Sequence, residues 1–393
     1  MNSTWDVVVL GAGIVGAACA FECVARGLRT AVVESGGIGG GATATGMGHI
    51  VVMDDSPAQL ALTCYSQSLW SALADRLRPE VEYDSSGTLW VAADEEEMQE
   101  VRRKHSVYAS ARVRTEILDR QALAEAEPHL KPLAGALLVS SDAVLYPPCA
   151  AGWLIREAIQ AGAGLIAPAR VLSAHAGCVH LEDGSQLRAA HIILACGAES
   201  VKLLPQLPIR KRKGHLVITD RYPGLVRHQL VELGYLKSAH SLTEDSVAFN
   251  VQPRRTGQIL IGSSREFGAE DSAINHAILK AMLDRAQLYL PELGSCVAIR
   301  TWTGFRAATP DKLPLIGPWP ADETLYLATG HEGLGITTSL GTARLLVGQL
   351  TGSPTEIPFE PYLPERFVTG QSNTGESEQE RAHGLRTSKG AHV

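Results

Sequence analysis

The 393-residue chain has no apolar run long enough to span a bilayer. Its longest near-apolar stretch, Val7 to Phe21, is broken by three glycines. No Lys or Arg precedes it and no small-residue cleavage site closes it, so it does not read as a signal peptide. Seven cysteines are an odd count, and no two stand in a CxxC pair. That argues against a disulfide framework and against a metal or iron–sulfur site, and it predicts a reducing, cytoplasmic setting. Cys19 and Cys23 would share one helix face as small packing residues. There is no basic excess: 35 Lys plus Arg against 42 Asp plus Glu gives −7, a poor match to nucleic acid or an anionic membrane. No internal repeat is present. What remains is an ordinary globular composition, 45% hydrophobic and 20% charged. The length points to two domains or one elaborate α/β body.

The clearest segment is the first 35 residues. Asp6-Val7-Val8-Val9-Leu10 is the apolar, β-branched run expected of a strand buried on both faces. Gly11-Ala12-Gly13-Ile14-Val15-Gly16 follows, then a helix over Ala17–Arg26 stopped by Gly27. A second strand, Thr30–Val33, ends in Glu34 and Ser35. This is a GxGxxG in its required βαβ context, with an acid 18 residues beyond the last glycine. Gly11 permits the tight turn, Gly13 lets a pyrophosphate approach the backbone, and Gly16 lets helix and strand pack closely. The helix N-terminus offers N–H groups and partial positive charge to the phosphates, and Glu34 can accept from the adenosine ribose hydroxyls. The alternative is a glycine-rich turn in a purely structural unit.

A second glycine-rich segment runs from Gly36 to His49, and glycine-terminated strands return near 197 and 330. That discontinuous pattern suits FAD, a long ligand touched by several loops, better than NAD. Helices are expected over Ser56–Leu77, from Asp94 to about Tyr108, over Gly152–Gly162, around Ile274–Tyr289 and from Thr337 to about Leu350. Strands are expected at Gly87–Ala93, and a meander at Val171–Ala174, Cys178–Leu181 and Ser185–Ala189 turns at Asp183-Gly184. Between 206 and 303 β-type segments dominate: Gly214–Asp220, Val247–Val251 and Gln258–Ser263. The run Arg210-Lys211-Arg212-Lys213 reads as a solvated turn, a contact to the flavin edge or a contact to a partner subunit. The Ser/Thr/Gly/Glu-rich stretch 368–393 reads as a disordered tail.

Several motifs in order carry a family resemblance. They are Val7 to Gly16, Gly41-Ala42-Thr43-Ala44-Thr45-Gly46, Ile193-Leu194-Ala195-Cys196-Gly197-Ala198, Trp302 to Asp311, Leu313-Pro314-Leu315-Ile316-Gly317 and Thr329-Gly330-His331-Glu332-Gly333-Leu334-Gly335-Ile336. On these the chain resembles, over residues 5–365, the D-amino-acid oxidase-like flavoproteins of the glycine oxidase and sarcosine oxidase type. The resemblance implies an α/β fold: a Rossmann-like FAD-binding domain (1–80, 142–205 and 304–367) with an inserted mixed α+β substrate domain dominated by an antiparallel sheet (81–141 and 206–303). It implies that Gly11, Gly13, Ile14, Val15, Gly16, Glu34 and Ser35 hold the adenosine diphosphate half of FAD. Thr43 and Ala44 would meet the pyrophosphate side, and Gly46, Gly48, His49 and Ile50 would run past the isoalloxazine. Val171 would meet the adenine, with Ala195 and Gly197 flanking the cofactor. Gly330, Gly333, Leu334, Gly335, Ile336 and Thr337 would place N–H groups and a helix N-terminus near the flavin pyrimidine, where a dipole stabilises negative charge.

Arg306 matches the family position whose guanidinium binds the substrate carboxylate, and a planar fork suits that task; otherwise it is a surface arginine. His49 and His331 stand in the flavin-facing loops, to orient substrate, accept a proton or contact the flavin, or as structural residues. Glu332 and Gly333 depart from the glycine oxidase pattern, which has a bulkier side chain and an additional arginine there. The wording Gly-His-Glu-Gly-Leu-Gly looks more like the catalytic subunits of bacterial dehydrogenases of D-hydroxyproline and opines. No cysteine lies where covalent attachment is expected, which implies non-covalent FAD. The implied activity is oxidation of a small amino or imino acid by hydride transfer from Cα to flavin N5, giving an imine. Electrons would pass to an acceptor or to small iron–sulfur partner subunits. The alternatives are a 2-hydroxy-acid dehydrogenase, an oxidase using O2, and a flavin-holding subunit of an electron-transfer assembly. Tyr235, Phe249 and Asn250 are candidate pocket residues. No metal ligands are expected.

Overall fold

The computed structural model describes residues 4–233 and 245–367, in which two sheets organise the chain. The first has eight strands, and its centre is the βαβ unit. Thr4–Leu10 pairs in parallel with Thr30–Val33 on one side and Gln186–Leu194 on the other. Asp322–Thr329 and Gly164–Ile166 extend the parallel core outward, and Leu315–Trp319 adds an antiparallel edge. Helices Ile14–Ala25, Pro147–Gln160 and Gly335–Thr351 cover one face, with Val7, Val9, Ala17, Leu154 and Leu345 in one cluster. Val8, Leu10, Ala31 and Val33 face the other way, under the meander Val171–His175 and Cys178–Leu181. Burial on both faces explains the uninterrupted apolar runs. Cys19 and Cys23 are buried on Ile14–Ala25, and burial pushes the Cys23 thiol up to about 12. All seven cysteines are free thiols.

The second sheet has nine strands, in the order His331–Glu332, Ala298–Ala308, Arg210–Arg221, Gln258–Arg265, Ser246–Pro253, Gln229–Glu232, Thr88–Ala92, Gly135–Val139, Thr115–Asp119. Every pair is antiparallel except Gln229–Glu232 with Thr88–Ala92. Leu89, Val91, Phe249, Val251 and Ile261 share a cluster with Met282 and Tyr289 of the helix His276–Tyr289. Side chains alternate along a strand, so Thr88, Trp90 and Asn250 belong to the opposite face. Helix Glu95–Ser110 starts at the N-cap Asp94, which accepts from the Glu97 N–H, while the Glu97 side chain reaches back to accept from the Ala93 N–H.

Three places differ from the sequence expectation. The basic run Arg210–Lys213 is no solvated turn but the start of the strand Arg210–Arg221, with Arg212 and Lys213 buried. Ion pairs make that burial tolerable: Arg212 with Glu332 at 2.6 Å and Lys213 with Glu266 at 3.3 Å. The expected boundary at 303/304 falls inside the strand Ala298–Ala308, which stays paired with Arg210–Arg221 on both sides of that boundary. Thr115–Asp119, Arg120–Ala126 and Gly135–Val139 carry no clear sequence signal; the first is a mostly exposed edge strand without apolar alternation. Tyr235 and the stretch 368–393 lie outside the described residues.

Candidate active site

The parallel strands of the first sheet all deliver chain to one edge. Leu10 leads to Gly11, Val33 to Glu34, Leu194 to Ala195 and Thr329 to Gly330. Open α/β sheets bind ligands in the crevice at this carboxyl edge. Two helices begin there with no side-chain bond from their own N-cap residue, Ile14–Ala25 after Gly13 and Gly335–Thr351 after Leu334. Such ends present N–H groups and partial positive charge. The Thr43 hydroxyl accepts from the Ile14 N–H at 3.0 Å. Glu34 is half-buried, and its carboxylate accepts from the Ala12 N–H at 2.7 Å and the Gly36 N–H at 2.6 Å. Ala169 donates its N–H to the Glu34 carbonyl, which brings Val171 toward the same corner.

The turn demands its glycines. Gly11 has φ +100°, and a Cβ there would lie 2.8 Å from the Ala195 carbonyl oxygen. A Cβ on Gly16 would lie 2.0 Å from the Gly11 carbonyl oxygen, closer than any real contact. The helix therefore approaches the strand as closely as backbone permits.

Against one face of the nine-stranded sheet lies a cavity. His49, Val51 and Met53 line it from the loop after Gly46, and Gly333 and Leu334 from the loop before the C-terminal helix. Thr88, Trp90, Val231 and Asn250 line it from the nine-stranded sheet. Its charged groups are Arg265, Arg306, Lys312, Asp55 and Glu332. Gln252 holds the first loop by donating to the Met47 carbonyl at 2.5 Å. Thr337 ties both loops together, donating to the His49 carbonyl at 2.8 Å and accepting from the Val51 N–H at 3.3 Å.

Arg306 is half-buried on the cavity wall, and its Nη1 donates to the Ser264 carbonyl at 2.9 Å. The guanidinium lies against Gly214, where a Cβ would come within 2.8 Å of both terminal nitrogens. Glu332 faces three guanidiniums. Burial alone would raise its pKa, but Arg265, Arg212 and Arg306 hold the carboxyl below the usual range. Arg265 stands 3.8 Å from it. His49 is fixed from behind. Gln229 donates its Nε2 to the Ala143 carbonyl at 3.1 Å, so its Oε1 faces His49 Nδ1. Nδ1 must therefore donate, which leaves Nε2 as a lone-pair acceptor. Burial holds the His49 pKa below its ordinary value, so the ring is neutral.

Residues 6–349 match the DAO family, described as FAD dependent oxidoreductase. The chain belongs to this FAD-dependent oxidoreductase family. Within it the resemblance is to the glycine oxidase and sarcosine oxidase type. Glycine oxidase of Geobacillus kaustophilus (strain HTA426) is 27% identical over 384 residues, covering 94% of this chain and 98% of that one. Hydrogen cyanide synthase subunit HcnC of Pseudomonas aeruginosa is 28% identical over 421 residues, covering 93% and 97%. The crystal structure of the Geobacillus kaustophilus glycine oxidase superposes with a TM-score of 0.83 at 26% identity, covering 92% of this chain and 99% of that one.

The cleft of this FAD-dependent oxidoreductase fits its cofactor on structural grounds. The glycine cradle and the N-terminus of Ile14–Ala25, where only the Ile14 N–H is taken by the Thr43 hydroxyl, suit the diphosphate, and Glu34 at the end of the second strand suits a ribose. Of the residues expected at the substrate, the structure brings Arg306, His49 and Asn250 to one cavity. His331 does not line it. The ring is buried against the C-terminal helix, its Nε2 bonds the Thr342 hydroxyl at 2.9 Å, and burial pushes its pKa down to about 3. Phe249 does not line it either: its ring stacks on Tyr289 at 4.5 Å in the cluster on the far face of the sheet. Thr88, Trp90 and Arg265, brought there by strand register, and Asp55 and Gln59, from the start of the helix Pro57–Leu73 and the bend before it, line the cavity but carry no sequence signal. Among the described residues, no helix is long and apolar enough to cross a membrane, and no group of His, Cys, Asp and Glu could hold a metal ion.

Proposed function

We propose that this enzyme oxidises the Cα–N bond of a small amino or imino acid, D-hydroxyproline or a similar compound, to the imine. The observation that carries the reading is the half-buried Arg306 beside a neutral His49 in one cavity between the two cofactor-facing loops. Arg306 anchors the carboxylate as a fork, in surroundings dry enough to strengthen the pair. Arg265, at the end of the strand Gln258–Arg265, supplies a second guanidinium on the same wall. Val51, Trp90, Val231 and Leu334 exclude water around Cα. The lone pair on His49 Nε2 takes a substrate N–H and aims the amine. FAD, held without a covalent bond, supplies the acceptor for the hydride that leaves Cα. The electrons then pass to an acceptor or a partner subunit, a reading supported by the relative that is itself named as a subunit.

Steady-state dye reduction by the FAD-loaded enzyme tests this across glycine, sarcosine, D- and L-proline, 4-hydroxyproline isomers and common D-amino acids. Turnover is expected with the cyclic and N-substituted amines. Turnover with 2-hydroxy acids and none with amines would establish the hydroxy-acid alternative instead. The role of His49 has its own signature. His49→Phe is expected to raise KM about tenfold, the worth of one neutral hydrogen bond, and to change kcat little. A thousandfold fall in kcat with FAD still bound would make His49 an obligatory base rather than an acceptor that only aims the amine.

A further inference from the structure

Of the polar groups on the cavity wall that the carboxylate and amine contacts above leave unused, Thr88 is the one backed by a buried carboxylate. The Thr88 hydroxyl is buried and has no hydrogen-bond partner. Thr88 is the register partner of Gln229, the residue that fixes His49, so it stands beside the amine position. Asp142 lies behind it, fully buried. One carboxylate oxygen, Oδ1, accepts from the Val52 N–H at 3.2 Å and from Gln67 Nε2 at 2.6 Å. The other, Oδ2, has no partner. The Thr88 hydroxyl lies close enough to favour the ionised carboxylate.

Buried polar atoms without partners are costly, and two adjacent ones at a cavity wall call for an explanation. The Thr88 O–H directed at Asp142 Oδ2 satisfies both, and it leaves the lone pairs of Thr88 Oγ1 to accept from a donor in the cavity. We propose that Thr88 and Asp142 form a relay that removes the ammonium proton of the bound substrate before hydride transfer. The N–H proton moves to Thr88 Oγ1 as the threonine's own hydroxyl proton moves to Asp142 Oδ2. The amine keeps the bonding pair as its lone pair, the threonine is regenerated, and the carboxylate becomes a carboxylic acid. The proposal rests on the amine reading above.

Chemistry requires such a step, because Cα gives up a hydride only with a lone pair on the adjacent nitrogen. His49 is a weak acceptor, since burial disfavours its charged form. Arg265 and Arg306 on the same wall make the ammonium easier to deprotonate. The groups facing Asp142 leave it free to titrate. Lys104 is the nearby cation and is already paired with Asp54. Cys64, Tyr83 and Tyr108 have their pKa values raised and stay neutral. Burial lifts Asp142 to about 7, so near neutral pH it can both take and release a proton.

The test is the rate of anaerobic flavin bleaching against pH for FAD-loaded wild type, Thr88→Val, Thr88→Ser and Asp142→Asn, using glycine, sarcosine, D-proline and L-proline as probes. In the wild type the rate is expected to rise with pH through the Asp142 midpoint. Thr88→Val and Asp142→Asn are expected to bleach about 100-fold more slowly at neutral pH, the usual scale of general-base catalysis. Their deficit should shrink at high pH, where the free amine binds directly, and Thr88→Ser should restore the wild-type profile. In the apoprotein, the infrared carbonyl band of a buried carboxylic acid should appear on acidification and be absent from Asp142→Asn. A deficit constant across pH, or a Thr88→Val profile equal to wild type, would overturn the relay while leaving the amine reading intact. Bleaching of wild type by none of the four probes would overturn both.

Discussion

Gly16→Val is expected to yield a colourless protein. A Cβ at this position would lie 2.0 Å from the Gly11 carbonyl oxygen, and that neighbour is backbone that cannot rotate away. The helix Ile14–Ala25 must then move off the strand Thr4–Leu10, and the N–H groups at its start lose their place at the diphosphate. Overpacking of this kind costs about 1–3 kcal/mol or more even in side-chain cores. FAD content, read from the visible absorbance per mole of protein after reconstitution, is expected to fall below about a tenth of wild type, an affinity loss on the scale of a few kcal/mol. Gly152→Ala, on the helix Pro147–Gln160, is the control. Its Cβ would meet only the Arg156 side chain at 3.8 Å, an ordinary contact, so FAD content should not change. Equal yellow colour in Gly16→Val and wild type would remove the first helix from the cofactor site.

Arg306→Ala is expected to retain FAD and to lose kcat/KM by about 100- to 1,000-fold, the effect of about 3–4 kcal/mol when one partner of a desolvated charge pair is removed. The loss should not spread to the cofactor, because Arg306 contacts the Ser264 carbonyl and the wall around Glu332. Glu332 would lose one of the three guanidiniums that keep its carboxyl ionised, which adds repulsion toward a substrate carboxylate. Arg306→Lys keeps the charge but not the fork, and should recover only part of the loss. Measured kcat/KM within threefold of wild type for Arg306→Ala would mean that the carboxylate binds elsewhere.

Most of the cofactor half is legible in the amino-acid sequence, because its constraints are local. A buried parallel strand needs a continuous apolar run, a close helix approach needs glycines at fixed spacing, and an acid at the next strand end follows from the length of the unit. The substrate half is less legible because its constraints are nonlocal. Phe249 and Asn250 are equally good candidates in sequence. They are neighbours on the strand Ser246–Pro253, so they point to opposite faces, and only the position of helix His276–Tyr289 decides which one meets the cavity. Thr88 and Gln229 are adjacent only because Thr88–Ala92 pairs in parallel with Gln229–Glu232 across more than a hundred residues of chain. Arg212 and Lys213 look like exposed charge because their partners, Glu332 and Glu266, are remote in sequence. His331 carries a glycine-flanked signal equal to that of His49, yet its ring turns to Thr342 while His49 turns to the cavity.

The central claim is that an amino-acid substrate lies in the cavity beside Arg306 and delivers a hydride to FAD held at the carboxyl edge of the parallel sheet. Anaerobic mixing of FAD-loaded enzyme with the amino- and imino-acid panel tests it most directly. At least one compound should bleach the oxidised-flavin absorbance in wild type, and much more slowly in Arg306→Ala. Unchanged absorbance with every amine, in a protein that is fully loaded with FAD, would contradict the account.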